Sequence, residues 1–359
     1  MYFWSLDVGQ GAANVLMLGD GRAAVFDCGP ASRFSPLRPL LSRYVREIDL
    51  LAVSHNDADH RGAAAGVLTD YAERVHRLLY AADRAAKENK LYLLLRDLRA
   101  RGRFDGLLSR LEVEEDGPPR LLLPEPGRPL PRGREDVRLK LFAPTAFEAD
   151  AASAGGDPNA ASGILALSSG PHRIVISGDA PVSQFRSVAA RRGGGPMAAE
   201  VLLVPHHGGR VWRPGDDAAG ELKWLFSEGV RPRFALVSVG TSNTHKHPRP
   251  EVIDALLDAG VTVLCTQITK RCCRAPDLEQ FRLTNPPPGD FCQSLRAPKW
   301  TDAGNSRDVP CAGTVRMALR PDGVTVERVG EHQRAVDRLA ATTYGAPLCR
   351  RADCGERDG

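Results

Sequence analysis

The stretch Ile48-Asp49-Leu50-Leu51-Ala52-Val53-Ser54-His55-Asn56-Asp57-Ala58-Asp59-His60 decides how the rest of the chain is interpreted. Its first half is the continuous apolar run that is typical of a strand buried on both faces of a sheet. Its second half places two imidazoles and two carboxylates where that strand ends. Carboxylates this close repel each other unless a cation neutralises them. The segment therefore predicts a metal centre at the end of a buried strand.

The spacing within this segment allows ligands for two metal ions. In extended backbone, alternate side chains face one way, so His55, Asp57 and Asp59 can point in one direction. His60 can turn toward a second centre once the chain bends into the next helix.

Three later segments repeat the arrangement of a buried strand that stops at ionisable or glycine-rich positions. They are residues 174–179, which end in Ser-Gly-Asp, residues 201–209, which contain Pro-His-His-Gly, and residues 235–240, which lead to His245 and His247. Strands that alternate with helices predict a layered α/β fold, in which such strand ends fall on one rim. We therefore expect Asp179, the two histidines and His247 to join the first segment in one centre.

Composition limits the class of protein. The chain has 359 residues, 42% of them hydrophobic and 26% charged, enough for one large domain or two small ones, and unlike a disordered tail or a disulfide-stapled mini-protein. No stretch approaches the roughly 18 apolar residues of a spanning helix, which predicts a cytoplasmic protein without membrane contact. A net charge of +4 permits nucleic-acid binding but does not require it.

The middle of the chain predicts an insertion or crossover. Residues 80–111 are rich in Ala, Leu, Arg and Glu and predict one or two helices, and a proline-rich connector follows over residues 118–131. Residues 182–191, 217–227 and 250–259 carry further helical patterns.

Taken in order, the motifs resemble those of the metallo-β-lactamase fold hydrolases, and within them the branch that includes the nuclease-type domain of the competence protein ComEC. The matching blocks are Asp7-Val8-Gly9-Gln10-Gly11, Asp27-Cys28-Gly29, His55 to His60, Ser177-Gly178-Asp179, Pro205-His206-His207-Gly208 and His247-Pro248-Arg249-Pro250-Glu251-Val252. The resemblance implies a four-layer αβ/βα sandwich. It covers residues 1–270, the expected hydrolase domain with its helical insertion at about 80–131, and leaves residues 271–359 as an irregular cysteine-rich extension packed on that domain.

The resemblance also assigns metal ligands. It implies that His55 and Asp57 hold a first ion, that Asp59 and His60 hold a second, that Asp179 bridges them, and that His247 completes the second site. The implied cofactors are one or two divalent ions, Zn²⁺ or Mn²⁺, with Mg²⁺ as a further candidate.

Catalytic and substrate-binding roles are assigned to neighbouring residues. Asp59 would orient a metal-activated hydroxide, and one of His206 and His207 would protonate the leaving group or bind a phosphate. Lys246 and Arg210 are candidates to contact substrate phosphates, although single basic residues are more often simply solvated.

Two departures from the family pattern bear on the first metal site. Asp57 stands where many members have histidine, and the stretch that usually supplies an intermediate histidine has only Asn159 and Ser162 as polar side chains. Oxygen in place of nitrogen weakens the case for zinc and strengthens that for Mn²⁺ or Mg²⁺.

Seven of the eight cysteines lie beyond residue 264, which is unlike the even spread of a secreted disulfide framework. A structural zinc site is one interpretation, with ligands Cys265, Cys272 or Cys273, Cys292 and Cys311. Free buried thiols that act as small apolar side chains are the alternative.

The leading functional prediction is a phosphodiesterase or nuclease that acts on DNA through a metal-activated hydroxide. One alternative is a hydrolase of a small ester, lactone, lactam or phosphorylated metabolite, which a closed apolar pocket would favour. The other is a metal-stabilised, non-catalytic component of a multi-protein assembly of the defence type, with protein partners instead of a substrate.

Overall fold

Most strands of this protein are apolar on both faces, and the fold covers both. The computed structural model describes residues 1–34, 36–81, 90–154, 157–241, 243–272, 309–320, 322–341 and 345–350. The strands within these ranges are β1 (Tyr2–Ser5), β2 (Ala13–Gly19), β3 (Arg22–Cys28), β4 (Glu47–Val53), β5 (Arg77–Tyr80), β6 (Leu107–Arg110), β7 (Arg120–Leu123), β8 (Val137–Ala143), β9 (Ile164–Ser169), β10 (His172–Ile176), β11 (Val201–Leu203), β12 (Phe234–Val237), β13 (Thr262–Cys265), β14 (Val315–Arg320) and β15 (Gly323–Val326).

Helices connect these strands and form the outer layers. The α-helices in the described ranges are α1 (Leu37–Tyr44), α2 (Ala58–Arg61), α3 (Ala64–Tyr71), α4 (Lys90–Ala100), α5 (Ala146–Ser153), α6 (Val182–Arg191), α7 (Ala218–Trp224), α8 (Pro250–Asp258) and α9 (Val329–Ala340). A π-helical turn, Leu225–Gly229, continues α7. Threonine caps α5 in a capping box, in which Thr145 and Glu148 satisfy each other's backbone N–H groups.

The strands form two sheets of mixed direction. The first has the order β15-β14-β1-β2-β3-β4-β5-β6, and the second has the order β13-β12-β11-β10-β9-β8-β7. The pairs from β3 to β6 and from β10 to β13 are parallel, whereas the remaining pairs are antiparallel. Parallel strands place their carboxyl ends on one edge, and this arrangement brings the predicted strand-end residues together.

Three hydrophobic clusters hold the layers. One lies between the sheets and includes Leu50 of β4 and Leu236 of β12. A second packs the outer face of the first sheet against α1 and α3, and a third packs the second sheet against α6 and α8. Helices outside two facing sheets confirm the predicted four-layer sandwich.

In its described residues, the segment predicted as a helical insertion or crossover contains one helix and two strands. Helix α4 confirms one helix in residues 80–111, but residues 107–110 form β6, and the proline-rich connector contains β7. These two strands are edges of opposite sheets, so the described part of this segment is a crossover between sheets. Leucine-rich sequence misled the prediction, because edge-strand pairing overrides helix propensity.

Residues beyond 270 take part in the first sheet. β14 pairs with β1 in antiparallel register, from Tyr2 opposite Ala318 to Ser5 opposite Val315. The first sheet therefore contains strands from both sides of the boundary predicted at residue 270. Among the described residues, no helix combines the length and apolar character needed to cross a bilayer.

Candidate metal centre

The predicted ligands gather where the parallel strands end. His55 follows β4, Asp179 follows β10 and His247 follows β12, while His206 and His207 follow β11. Four of these side chains are buried, and His206 is half-buried. The edge between the two sheets therefore collects ligand atoms from four strand ends.

Asp179 lies at the middle of the centre, and its two carboxylate oxygens face different partners. Oδ2 lies 3.6 Å from Nε2 of His55 and 3.8 Å from Nε2 of His206. Oδ1 lies 3.0 Å from Nε2 of His60 and 3.6 Å from Nε2 of His207. One carboxylate thus belongs to two sets of nitrogen ligands.

An aspartate completes each set. Oδ2 of Asp57 lies 3.7 Å from Nε2 of His55, and Oδ2 of Asp59 lies 3.4 Å from Nε2 of His207. Ligands that each lie about 2.0–2.2 Å from one ion are about 3–4 Å apart. Two overlapping triads have all their ligand atoms within 4.8 Å of one another: His55, His60 and Asp179, and Asp59, His60 and His207.

Hydrogen bonds on the far side of each ring fix the orientation of four histidines. In each, Nδ1 faces an oxygen and Nε2 faces the centre. The oxygens are Ser54 Oγ for His55 at 3.0 Å, Asp27 Oδ2 for His60 at 2.8 Å, the Arg210 carbonyl for His206 at 3.1 Å and the Ser238 carbonyl for His207 at 2.8 Å. A proton on Nδ1 leaves the Nε2 lone pair free for a metal.

Orphaned atoms give a direct test of whether these residues suit a cation. Nε2 of His55 is buried without a hydrogen-bond partner, and Nε2 of His60 lies 3.0 Å from both Oδ1 of Asp179 and Nε2 of His207. Lone pairs that converge without donors are costly in a protein interior. The residues present therefore fit a divalent metal ion, with nitrogen and oxygen ligands of the kind that zinc, manganese and iron accept.

The pKa values follow the same charge pattern. Burial would raise the pKa of Asp179, but His60, His207 and His55 lower it well below the ordinary value. Burial would lower the pKa of His60, but Asp179 and Asp27 raise it well above the ordinary value. The carboxylates therefore attract positive charge into the space between them, and a divalent cation supplies more of it than a proton.

His247 lies beside the histidine pair of the centre. Its ring centroid lies 5.0 Å from that of His206 and 6.4 Å from that of His207. Its Nδ1 is buried without a partner, and Asn243 holds its backbone through bonds to the N–H and the carbonyl. Burial and then the neighbouring histidines lower the pKa of His247 to about 3.

The backbone conformation of the turn after β11 orients the side chains of His206 and His207. His206 and His207 have φ values of 52° and 53°, in a short turn that begins at Pro205. Non-glycine residues in this left-handed region cost about 1–2 kcal/mol each. This left-handed conformation orients both rings toward the centre, one toward each set of ligands.

Asp27 and Asn159 lie behind the ligands and contact their far sides. Asp27 accepts bonds from the Ser54 N–H, the Ser54 hydroxyl and His60 Nδ1. The feature of the sequence that indicates this role is the position of Asp27 at the end of β3, the strand beside β4. The amide nitrogen of Asn159 lies 3.5 Å from His206 Nδ1, near where the family pattern has another histidine. Arg210 and Lys246 are exposed.

Comparison with known proteins found a matching family model and similar sequences. The family model of the metallo-beta-lactamase superfamily matches residues 8–209. Competence protein ComA of Neisseria gonorrhoeae is 24% identical over 268 residues, which are 73% of this chain and 30% of that protein. Recombination protein 2 of Haemophilus influenzae is 24% identical over 258 residues, which are 70% of this chain and 26% of that protein. The chain thus spans less than a third of the length of these relatives.

The chain is also similar to a solved structure, at lower sequence identity. Igni18, described as a novel metallo hydrolase from Ignicoccus hospitalis, is 16% identical with a TM-score of 0.44, and the match covers 74% of this chain and 95% of that one.

Proposed function

The chain belongs to the metallo-beta-lactamase superfamily of metal-dependent hydrolases, and on this premise we propose that it is a phosphodiesterase that cleaves DNA. The observation that carries the proposal is the division of Asp179 between two sets of histidines. Centres that hold two ions on a shared carboxylate are suited to phosphoryl oxygens, which carry negative charge at several positions.

The proposed ligand sets differ in one respect from the sets that the family resemblance implies. His55, Asp57, His206 and Oδ2 of Asp179 would hold the first ion. Asp59, His60, His207 and Oδ1 of Asp179 would hold the second. His207 thus takes the place expected for His247, because its Nε2 faces Asp59 and His60. Bound divalent ions would lower the pKa of water and neutralise charge on a phosphoryl oxygen.

This chain's own residues would position the substrate. Asp59 lies on α2, where its carboxylate can both bind metal and orient an attacking water. His247 stands beside the first ligand set with its ring against the edge of the His206 ring, where it would position that ligand. Lys246 precedes it on the exposed rim and can contact a neighbouring phosphate.

The shape beside the centre supports a polymeric substrate over a small one. A groove of about 120 Å³ opens next to His55 and Asp57, lined by small side chains such as Ala81 and Ala152. Sites that enclose a small ligand are commonly 300–1,000 Å³. A substrate that lies across the edge of the sheets, and presents one phosphodiester to the centre, is therefore favoured over an enclosed ester or lactone. Similarity to a competence protein and a recombination protein adds support for DNA.

The test is cleavage of linear and circular plasmid DNA by purified protein with Mn²⁺, Zn²⁺ or Mg²⁺. Asp179→Ala is expected to abolish both metal loading and cleavage. Asp97→Ala is the matched control, because this exposed aspartate of α4 pairs only with the exposed Arg101 among the described residues and its loss is expected to leave activity unchanged. Metal-loaded protein that leaves DNA intact would refute the proposal. Ester or lactone turnover by the same sample would then favour a small-molecule hydrolase, and inactivity on all substrates a non-catalytic component.

A further inference from the structure

A second cluster of metal-binding side chains forms around the end of β13. Cys265 is its last residue, Cys272 lies in the following turn, Cys311 precedes β14 and Cys349 lies near the end of the described residues. The Sγ atoms of Cys265 and Cys349 are 3.2 Å apart, although 84 positions separate them in the chain. The fold therefore brings together four thiols that are far apart in sequence.

A buried histidine joins the thiols. His332 on α9 lies beside the side chains of Cys311 and Cys349, and its Nε2 accepts the N–H of Cys265 at 3.4 Å. Cys272 is buried on the other side, with its Sγ 3.8 Å from Thr269 Oγ1. Every segment that meets at this point thus contributes a sulfur or a polar contact to a sulfur.

The local core around these thiols is small. Its buried members are Ile268, Cys272, Val309 and Leu339. Segments with so little apolar burial are commonly held by a disulfide or a structural metal. Cys265 and Cys349 are free cysteines in this structure and face each other.

We propose that Cys265, Cys272, Cys311 and Cys349 bind one zinc ion that fastens the C-terminal segments to the second sheet. Four thiolates are a common structural zinc set, and each thiol releases its proton to solvent on binding. His332 hydrogen-bonds the thiolates from behind. No three of these donor atoms lie within 4.8 Å of one another, so binding requires rotamer changes that turn Cys272 and Cys311 toward the other two.

This set differs from the one predicted from spacing. Cys349 takes part, which the sequence pattern did not single out, while the predicted Cys292 and the alternative Cys273 lie outside the described residues. The inference is independent of the proposed nuclease function, because none of its ligands belongs to the His/Asp centre.

The experiment measures thiolate coordination in the full chain. Asp179→Ala serves as the background, because it removes metal from the His/Asp centre. Protein of this background, loaded with Co²⁺, is expected to show intense sulfur-to-cobalt charge-transfer absorption, and zinc-loaded protein is expected to retain one zinc per chain. Cys265→Ser or Cys349→Ser is expected to remove both signals. Cys28→Ser is the matched control, because Cys28 is buried under the first sheet among apolar side chains.

A measurement on the unmutated chain covers the case in which the serine variants do not fold. A mercurial reagent that titrates the thiols of the unmutated chain is expected to release one zinc ion. The same reagent is expected to release one zinc ion from the Asp179→Ala background as well. Release of no zinc from that background would overturn the proposal. So would a Cys265–Cys349 disulfide in peptides mapped from protein purified without reductant.

Discussion

Replacement of Asp27 by asparagine tests whether the residue behind the ligands tunes the metal centre. Asp27 is 2% exposed and lies at the end of β3 with a φ of 54°, which asparagine tolerates as well as aspartate. Its Oδ2 accepts the Nδ1 proton of His60 at 2.8 Å, and its Oδ1 accepts the Ser54 N–H at 2.7 Å. The substitution therefore keeps the backbone and the size of the side chain while it removes the charge.

The expected loss follows from the hydrogen bonds. An asparagine amide can still accept from the Ser54 N–H, but its nitrogen cannot accept the proton of His60. A buried hydrogen bond to a charged group contributes about 1.5–3 kcal/mol. Without it, the proton of His60 is free to move to Nε2, where it competes with the metal. We expect roughly 10- to 100-fold weaker binding of the ion held by His60, and a smaller change for the ion held by His55.

The assay is chelator competition for Zn²⁺ or Mn²⁺, combined with thermal unfolding. Asp49→Asn is the matched control, because Asp49 is equally buried in the neighbouring strand but pairs with Arg22 and Arg128. It is expected to lower the Tm without a change in metal affinity. Equal affinity in wild type and Asp27→Asn, or equal losses in both variants, would refute the reasoning.

Three further predictions concern stability. Gly11→Ala is expected to lower the Tm and weaken metal binding, because its Cβ would lie 2.4 Å from the carbonyl oxygen of Asp59. Gly127→Ala is the control, because its Cβ would have nothing within 4 Å and would cost only about 1 kcal/mol of backbone strain. Similar Tm losses in the two variants would contradict this prediction. Burial would raise the pKa of Glu200, but hydrogen bonds from β10 lower it below 4.5, so Glu200→Gln is expected to cost at most about 1 kcal/mol in urea unfolding at pH 7. This difference in the free energy of unfolding is expected to disappear as the pH falls through the lowered pKa. A difference that stays the same at every pH would contradict this prediction. Leu50→Ala is expected to cost about 2–5 kcal/mol in the same assay, because Leu50 is fully buried between the sheets, and a loss below 1 kcal/mol would contradict that packing.

Local sequence predicted much of the fold because the signals are local. Helix α6 begins and ends where its apolar spacing predicts, at residues 182 and 191. The His55 to His60 cluster and Asp179 stand at strand ends because glycine and polar residues stop an apolar run. Residues 107–110 were misassigned because an edge strand with exposed leucine carries no periodicity that separates it from a helix.

The sequence by itself indicated a layered α/β fold and the edge on which the candidate ligands lie, because strand ends and ligand types are properties of short segments, and the family resemblance supplied the four-layer sandwich. The tertiary structure decided which ligand faces which. His207 meets Asp59, and the left-handed turn after β11 orients its ring. It also decided that β14 pairs with β1, and that Cys349 reaches Cys265. These pairings depend on contacts between segments far apart in the chain, which no local pattern encodes.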